Sequence, residues 1–156
     1  MNILRTLEFL ALSIWLGSDV FLSFVVAPGA FAVLAGRDQA GAIVGYSLTR
    51  MHWLGVVCGV LILLFRFMRA RSFTSLGSAA TLFIMLMMLL TLVSQLTVSP
   101  KMAKLRVQMG SVQATAADSP LLAEFSRLHR VSVGLESAVL LTGFAVLYLF
   151  IRETAR

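Results

Sequence analysis

Apolar residues run along this chain in four long stretches, interrupted by few and widely spaced polar positions. Residues 9–35 hold one charge (Asp19), 39–65 hold one (Arg50), 73–98 hold none, and 131–151 hold one (Glu136). Each stretch supplies the ~20 residues that cross ~30 Å of hydrocarbon at ~1.5 Å per residue. The pattern predicts an all-α integral membrane four-helix bundle, a single domain over 1–156, with spans at about 6–35, 40–66, 73–98 and 129–151.

Only the stretch between the third and fourth spans is long enough to hold anything else. Ser99-Pro100 and Ser119-Pro120 each read as an N-cap followed by proline in a first helical turn. Met102, Leu105, Met109 and Val112 recur at helical spacing, with Lys101, Lys104 and Arg106 on other faces. This predicts an amphipathic helical segment over about 100–128, lying on the bilayer or capping the bundle. Leu121, Leu122, Phe125 and Leu128 extend the apolar pattern, so the last helix is expected to start near 120. Pro28-Gly29 predicts a kink near the outer end of the first span. Gly41-x-x-x-Gly45 and Gly55-x-x-x-Gly59 give the second span small faces, read as packing within the bundle rather than a dimer seam.

Composition narrows the class further. With 59% hydrophobic residues, 13% charged residues and a mean hydropathy of +0.93, no soluble core could hide the apolar surface. The net charge of +6 lies in short basic clusters beside the spans. Such clusters read as orientation signals and headgroup contacts, so the lipid bilayer is the expected partner and nucleic acid is not. Arg5, an apolar run and Gly17-Ser18 mimic a signal peptide, but the run continues to Ala35, so a retained first span is expected. Cys58 is alone and offers no disulfide framework. The short acid-free stretch with Arg66, Arg69 and Arg71 favours a bacterial inner membrane location with both termini cytoplasmic; homo-oligomerisation is left open.

Function has to be sought in the intramembrane polar groups. Asp19, Arg50, His52, Gln95, His129 and Glu136 all fall in the half of the bilayer away from the termini. A charge near mid-membrane costs roughly 2.5–3.5 kcal/mol on insertion scales, so such groups face the bundle interior and pair. Trp15, Asp19 and Ser23 are four apart, and so are Thr91 and Gln95. His129, Ser132 and Glu136 share one helical face. The expected site is a polar pocket centred on Asp19, Arg50 and Glu136, with Gln95 and His129 at its mouth, Ser132 beside them, and Trp15 and Trp53 in the lining.

Three readings of that pocket stay open. It binds or helps move a small ligand or ion, with Asp19 and Glu136 as ion or proton sites and Arg50 as counter-charge. Alternatively, His52 and His129 hold haem or a metal in a membrane redox protein, although each taken singly reads rather as a buried or interfacial hydrogen bonder. Or the polar groups form a structural network in a scaffold or accessory subunit. No nucleophile arrangement is present, so catalysis is the least expected use, and no cofactor is favoured. Met85, Met87 and Met88 read as apolar filler rather than soft copper ligands.

Several segments resemble a known family. Trp15-Leu16-Gly17, Phe24-Val25-Val26-Ala27-Pro28 with Phe31, Ala40 through Gly45, Ser99-Pro100 with Leu105-Arg106, and Phe125-x-x-Leu128-His129-x-x-Ser132 resemble the transmembrane-protein-205-like family. These are four-span membrane domains of unknown function. The pieces occur in the family's order and cover nearly the whole chain. The resemblance implies a four-helix membrane domain, and one animal member's association with platinum-drug resistance implies handling of metals or small molecules. A looser architectural similarity exists to copper-resistance D-type membrane proteins and to four-span haem-linked protoporphyrinogen oxidases, with no shared motif beyond an isolated His. Asp19 and Glu136 depart from the family pattern.

Overall fold

The computed structural model describes residues 3–70 and 77–155. Arg71, Arg156 and the expected start of the third span at 73–76 lie outside them. The described residues form four helices long and apolar enough to cross a membrane. They are α1 (Ile3–Val33), α2 (Arg37–Ala70), α3 (Ala79–Met109) and α4 (Pro120–Thr154). Helix α1 packs on α2 and α4, and α3 packs on the same two, so α1 faces α3 and α2 faces α4 across the bundle's diagonals.

The two prolines inside helices act alike. Pro28 and Pro100 lack the N–H that a helix needs and crowd the preceding turn. Each follows a π turn, Leu22–Val26 in α1 and Ser94–Val98 in α3, closed by Ala27 N–H donating to Leu22 O and Ser99 N–H to Ser94 O. The wider turn makes room for the ring without breaking the helix. Ser99 is therefore not a cap: its φ and ψ are helical, and the basic segment 99–109 continues the third span directly. Ser119, by contrast, is extended and does start the last helix at Pro120.

Each helix buries one stripe at a spacing close to 3.5 residues, as left-handed bundles require. In α2 the stripe is His52, Gly55, Gly59, Ile62 and Arg66. Its two glycines receive the Trp15 ring: a Cβ on Gly55 would lie 2.5 Å from Trp15 Nε1, and one on Gly59 2.6 Å from Met88. Gly55-x-x-x-Gly59 thus serves packing inside the bundle. Met87 belongs to the buried core, whereas Met85 is exposed.

A charged layer closes the terminal end, in contrast to the loop expected there. Helix α2 runs to Ala70, which places Arg66 and Arg69 inside the bundle's end rather than in a free loop. Arg69 Nε donates to buried Glu8 at 2.9 Å, and Arg66 Nη2 to Glu153 at 3.0 Å. Arg66 Nε also donates to Thr81 Oγ1 at 3.0 Å and its Nη2 to Ser78 Oγ at 3.0 Å. Two guanidinium groups and two carboxylates thereby join all four helices. At the opposite end, Asp38 accepts from Ser111 Oγ at 2.6 Å and Val112 N–H at 2.8 Å, tying the 110–119 turns to the start of α2.

Candidate functional site

The half of the bundle nearer the termini is filled by an apolar cluster around Leu12, Trp15, Ile62, Ile84, Met87 and Val146. The half away from the termini is not. Beyond its π turn α1 packs on α2, and beyond its own π turn α3 packs on α4, so the bundle parts into two leaves. Between them lies a cavity of about 800 Å³, within the roughly 300–1,000 Å³ typical of small-molecule sites. Small residues on α2 leave this room: Gly41, Ala42 and Gly45 all line it, and a Cβ on Gly45 would meet nothing within 4 Å. Leu22, Ser23 and Phe31 line it from α1, Ser99, Met102 and Arg106 from α3, and His129, Ser132 and Glu136 from α4.

The floor of this vestibule is polar, and every helix contributes to it. His52 from α2 is completely buried. Its Nε2 lies 2.5 Å from Glu136 Oε1 of α4, and its Nδ1 lies 2.8 Å from Gln95 Oε1 of α3. Ser94 Oγ donates to the same Glu136 oxygen at 3.3 Å. Gln95 and Ser94 belong to the π turn of α3, which shows how that turn aims polar groups at the floor. The Glu136 side chain is 13% exposed and lines the vestibule, so it is the member of the group that an occupant meets. Asp19 of α1 sits behind it, 1% exposed, with Glu136 and His52 as its electrostatic neighbours. Neither Asp19 oxygen meets hydrogen-bond geometry among the described residues, although the Ser23 hydroxyl, one turn on in the same helix, approaches it.

The residues singled out from sequence divide accordingly. Asp19, Gln95 and Glu136 meet at the floor, and Ser132 and His129 line the wall above Glu136. Arg50 does not join them. It is exposed, its guanidinium stacked 5.0 Å over the Tyr46 ring, and no carboxylate pairs with it among the described residues. The reason is angular: Arg50 and His52 are two residues apart and so point roughly 200° apart around a helix. His52 holds the interior face and Arg50 the outer one. Trp15 is core rather than lining, and Trp53 is 47% exposed on the outside.

The central residue is thus His52, weighed from sequence as a buried or interfacial hydrogen bonder and, less favoured, as a metal or haem ligand. The face shared with Gly55 and Gly59 was the signal that could have placed it inside. Both its ring nitrogens are engaged, and His129 sits on the rim about 10 Å above Glu136 at ~1.5 Å per residue. Among the described residues no three His, Cys, Asp or Glu side chains come together as a metal-binding set. One imidazole between a carboxylate and an amide, beside a second carboxyl that no other helix bonds to among the described residues, can hold and pass a proton or accept a cation.

The model of one family matches residues 10–111, which cover α1 from Leu10 onward and all of α2 and α3, with Asp19, His52, Gln95 and Arg106. The chain belongs to that family, described as a domain of unknown function (DUF4149). Glu136 and His129 lie outside the match. No curated protein and no solved structure matches the chain. These comparisons give no support to a likeness to transmembrane-protein-205-like or copper-resistance D-type proteins.

Proposed function

We propose that this membrane protein binds, or helps move, a small ligand or ion through the polar site at the vestibule floor. Glu136 is the group first met from the vestibule. His52 supplies the counter-charge that sequence had assigned to Arg50, and Asp19 accepts the cation or proton. Asp19 carries the reading. A buried carboxylate without a bond is costly, by several kcal/mol if it stays charged, and a cation, a proton included, removes that cost. A network built only to fix helix register has little use for a buried carboxyl that, among the described residues, no other helix bonds to.

Trp15 lies one helical turn before Asp19, so its emission reports on the site. In a Trp53→Phe background, emission is recorded during acidification, and separately on replacing N-methylglucamine with sodium at constant ionic strength. A response to either, absent in Asp19→Asn, supports a proton or cation site. Identical curves for both proteins sink the reading and leave a packing network.

Two finer statements are held on the same footing. The affiliation with the transmembrane-protein-205-like group is carried by the segments around Trp15, Pro28, Ser99 and Phe125. Residence in a bacterial inner membrane with both termini cytoplasmic is carried by the arginines next to the terminal-side ends of α2 and α4.

A further inference from the structure

Among the described residues, hydrogen bonds lace the vestibule where α2 meets α3 and not where α1 borders α4. Where α2 meets α3, Asp38 holds Ser111 and Val112, and Arg37 N–H donates to Gln113 Oε1 at 3.1 Å. Along the α1–α4 edge, no hydrogen bond or ion pair among the described residues joins residues 27–33 to α4. There Phe24, Phe31 and Val133 border the cavity while each is at least half exposed. In a chain that spans a bilayer, this opening faces acyl chains rather than water.

Arg106 stands at the rim. Helix α3 is 31 residues long, about 46 Å at ~1.5 Å per residue, against ~30 Å of hydrocarbon, so its last turn reaches headgroup depth. The half-buried guanidinium lies against Gly41 and 5.3 Å over the Phe125 ring. Among the described residues it makes no hydrogen bond and no ion pair. Asp38 is its electrostatic neighbour, but the oxygens of Asp38 are taken by Ser111 and Val112. A guanidinium with its donors free, at the mouth of an apolar cavity, matches a phosphate diester in charge and fork geometry. Exposed Lys101, Lys104, Arg127 and Arg130 on the adjoining turns strengthen the preference for negative charge.

We propose that the α1–α4 opening and Arg106 together form a site for an anionic phospholipid of the surrounding bilayer. Its phosphate sits on Arg106 and one acyl chain lies in the opening beside Phe24, Phe31 and Val133. This site shares the vestibule with the polar floor, but its charge contact is Arg106 rather than Glu136.

The test is native mass spectrometry of the detergent-released protein after equilibration with phosphatidylglycerol and phosphatidylcholine of identical acyl chains. The wild type is expected to retain phosphatidylglycerol in preference. Arg106→Gln should reduce that preference by about tenfold or more, the effect of losing one charge-assisted contact. Gly41→Ala is the second variant, because its Cβ would lie 2.6 Å from Arg106 Nη2. It displaces the flexible guanidinium without removing its charge, so it too should weaken retention, and it decides the matter if Arg106→Gln does not fold. Glu136→Gln should leave the preference intact, which keeps failure here distinct from failure at the floor. Equal retention of both lipids by the wild type, or an undiminished preference in both rim variants, overturns the proposal. So does displacement of the lipid by millimolar inorganic phosphate, which would assign the rim to a soluble anion.

Discussion

His52 Nε2 and Glu136 Oε1 lie 2.5 Å apart across a diagonal of the bundle, joining two helices that otherwise barely touch. Asp19 and Gln95 approach the same point along the other diagonal. A second polar layer built from Glu8, Arg66, Arg69, Thr81 and Glu153 closes the terminal end, about 20 Å away along α2 at ~1.5 Å per residue. The apolar core lies between them.

The diagonal pair should couple more strongly than an ordinary interhelical bond. Hydrogen bonds between membrane helices average about 0.6 kcal/mol in double-mutant cycles. A cycle on His52→Gln and Glu136→Gln, read from unfolding in detergent, is expected to give at least about 1.5 kcal/mol, since removing one member of a buried charged pair strands the other. A coupling near the membrane average would mean the two groups meet as neutral partners.

Asp19 should behave in the opposite way. Because no other helix bonds to its oxygens among the described residues, Asp19→Leu is expected to be neutral or to stabilise the fold by about 1 kcal/mol, as removal of an unsatisfied buried group does. Thermal unfolding of the two proteins side by side checks this. Destabilisation beyond about 2 kcal/mol would reveal a partner such as ordered water or an ion.

Arg66 and Arg50 make a second contrast. Arg66 is 4% exposed and bonds to Glu153, Thr81 and Ser78, so Arg66→Met should cost about 3–5 kcal/mol. Arg50 is exposed, and Arg50→Met is expected to change stability by less than about 0.5 kcal/mol. Similar losses in the two variants, measured as the fraction remaining folded in a detergent challenge, would contradict these positions.

Gly55 and Gly45 belong to motifs that look alike in sequence. Gly55→Ala would drive a Cβ into the Trp15 ring and should cost about 1–3 kcal/mol through overpacking. Gly45→Ala meets nothing within 4 Å and should be neutral or gain up to about 1 kcal/mol from helix propensity. Melting temperatures of the two variants falling on the same side of the wild type would refute the distinction.

Much of the site was legible because a membrane span punishes buried charge. Asp19, Gln95 and Glu136 stood out against an apolar background, and the shared face of His129, Ser132 and Glu136 does line the vestibule. Arg50 and His52 show where this reasoning stops. Both are polar and lie at nearly the same depth, and hydropathy carries no azimuth. Only the Gly55 and Gly59 face, where the Trp15 ring needs space, says which of the two looks inward. Glu8 and Glu153 escaped notice because charges near span ends are ordinary.

The sequence by itself determined four membrane-length helices and the depth of each polar group, because crossing hydrocarbon demands long apolar runs and makes every exception visible. Tertiary packing alone decided which polar groups meet, and that Pro28 and Pro100 would be absorbed by π turns where the bundle opens. It also left Asp19 without an interhelical hydrogen bond, and Arg106 at the rim without a hydrogen bond or ion pair, among the described residues. Those outcomes depend on the rotation of each helix about its own axis. That rotation is set by how Trp15, Gly55, Gly59 and Gly143 fit against their neighbours, a condition on shape between distant segments that no single stretch of sequence contains.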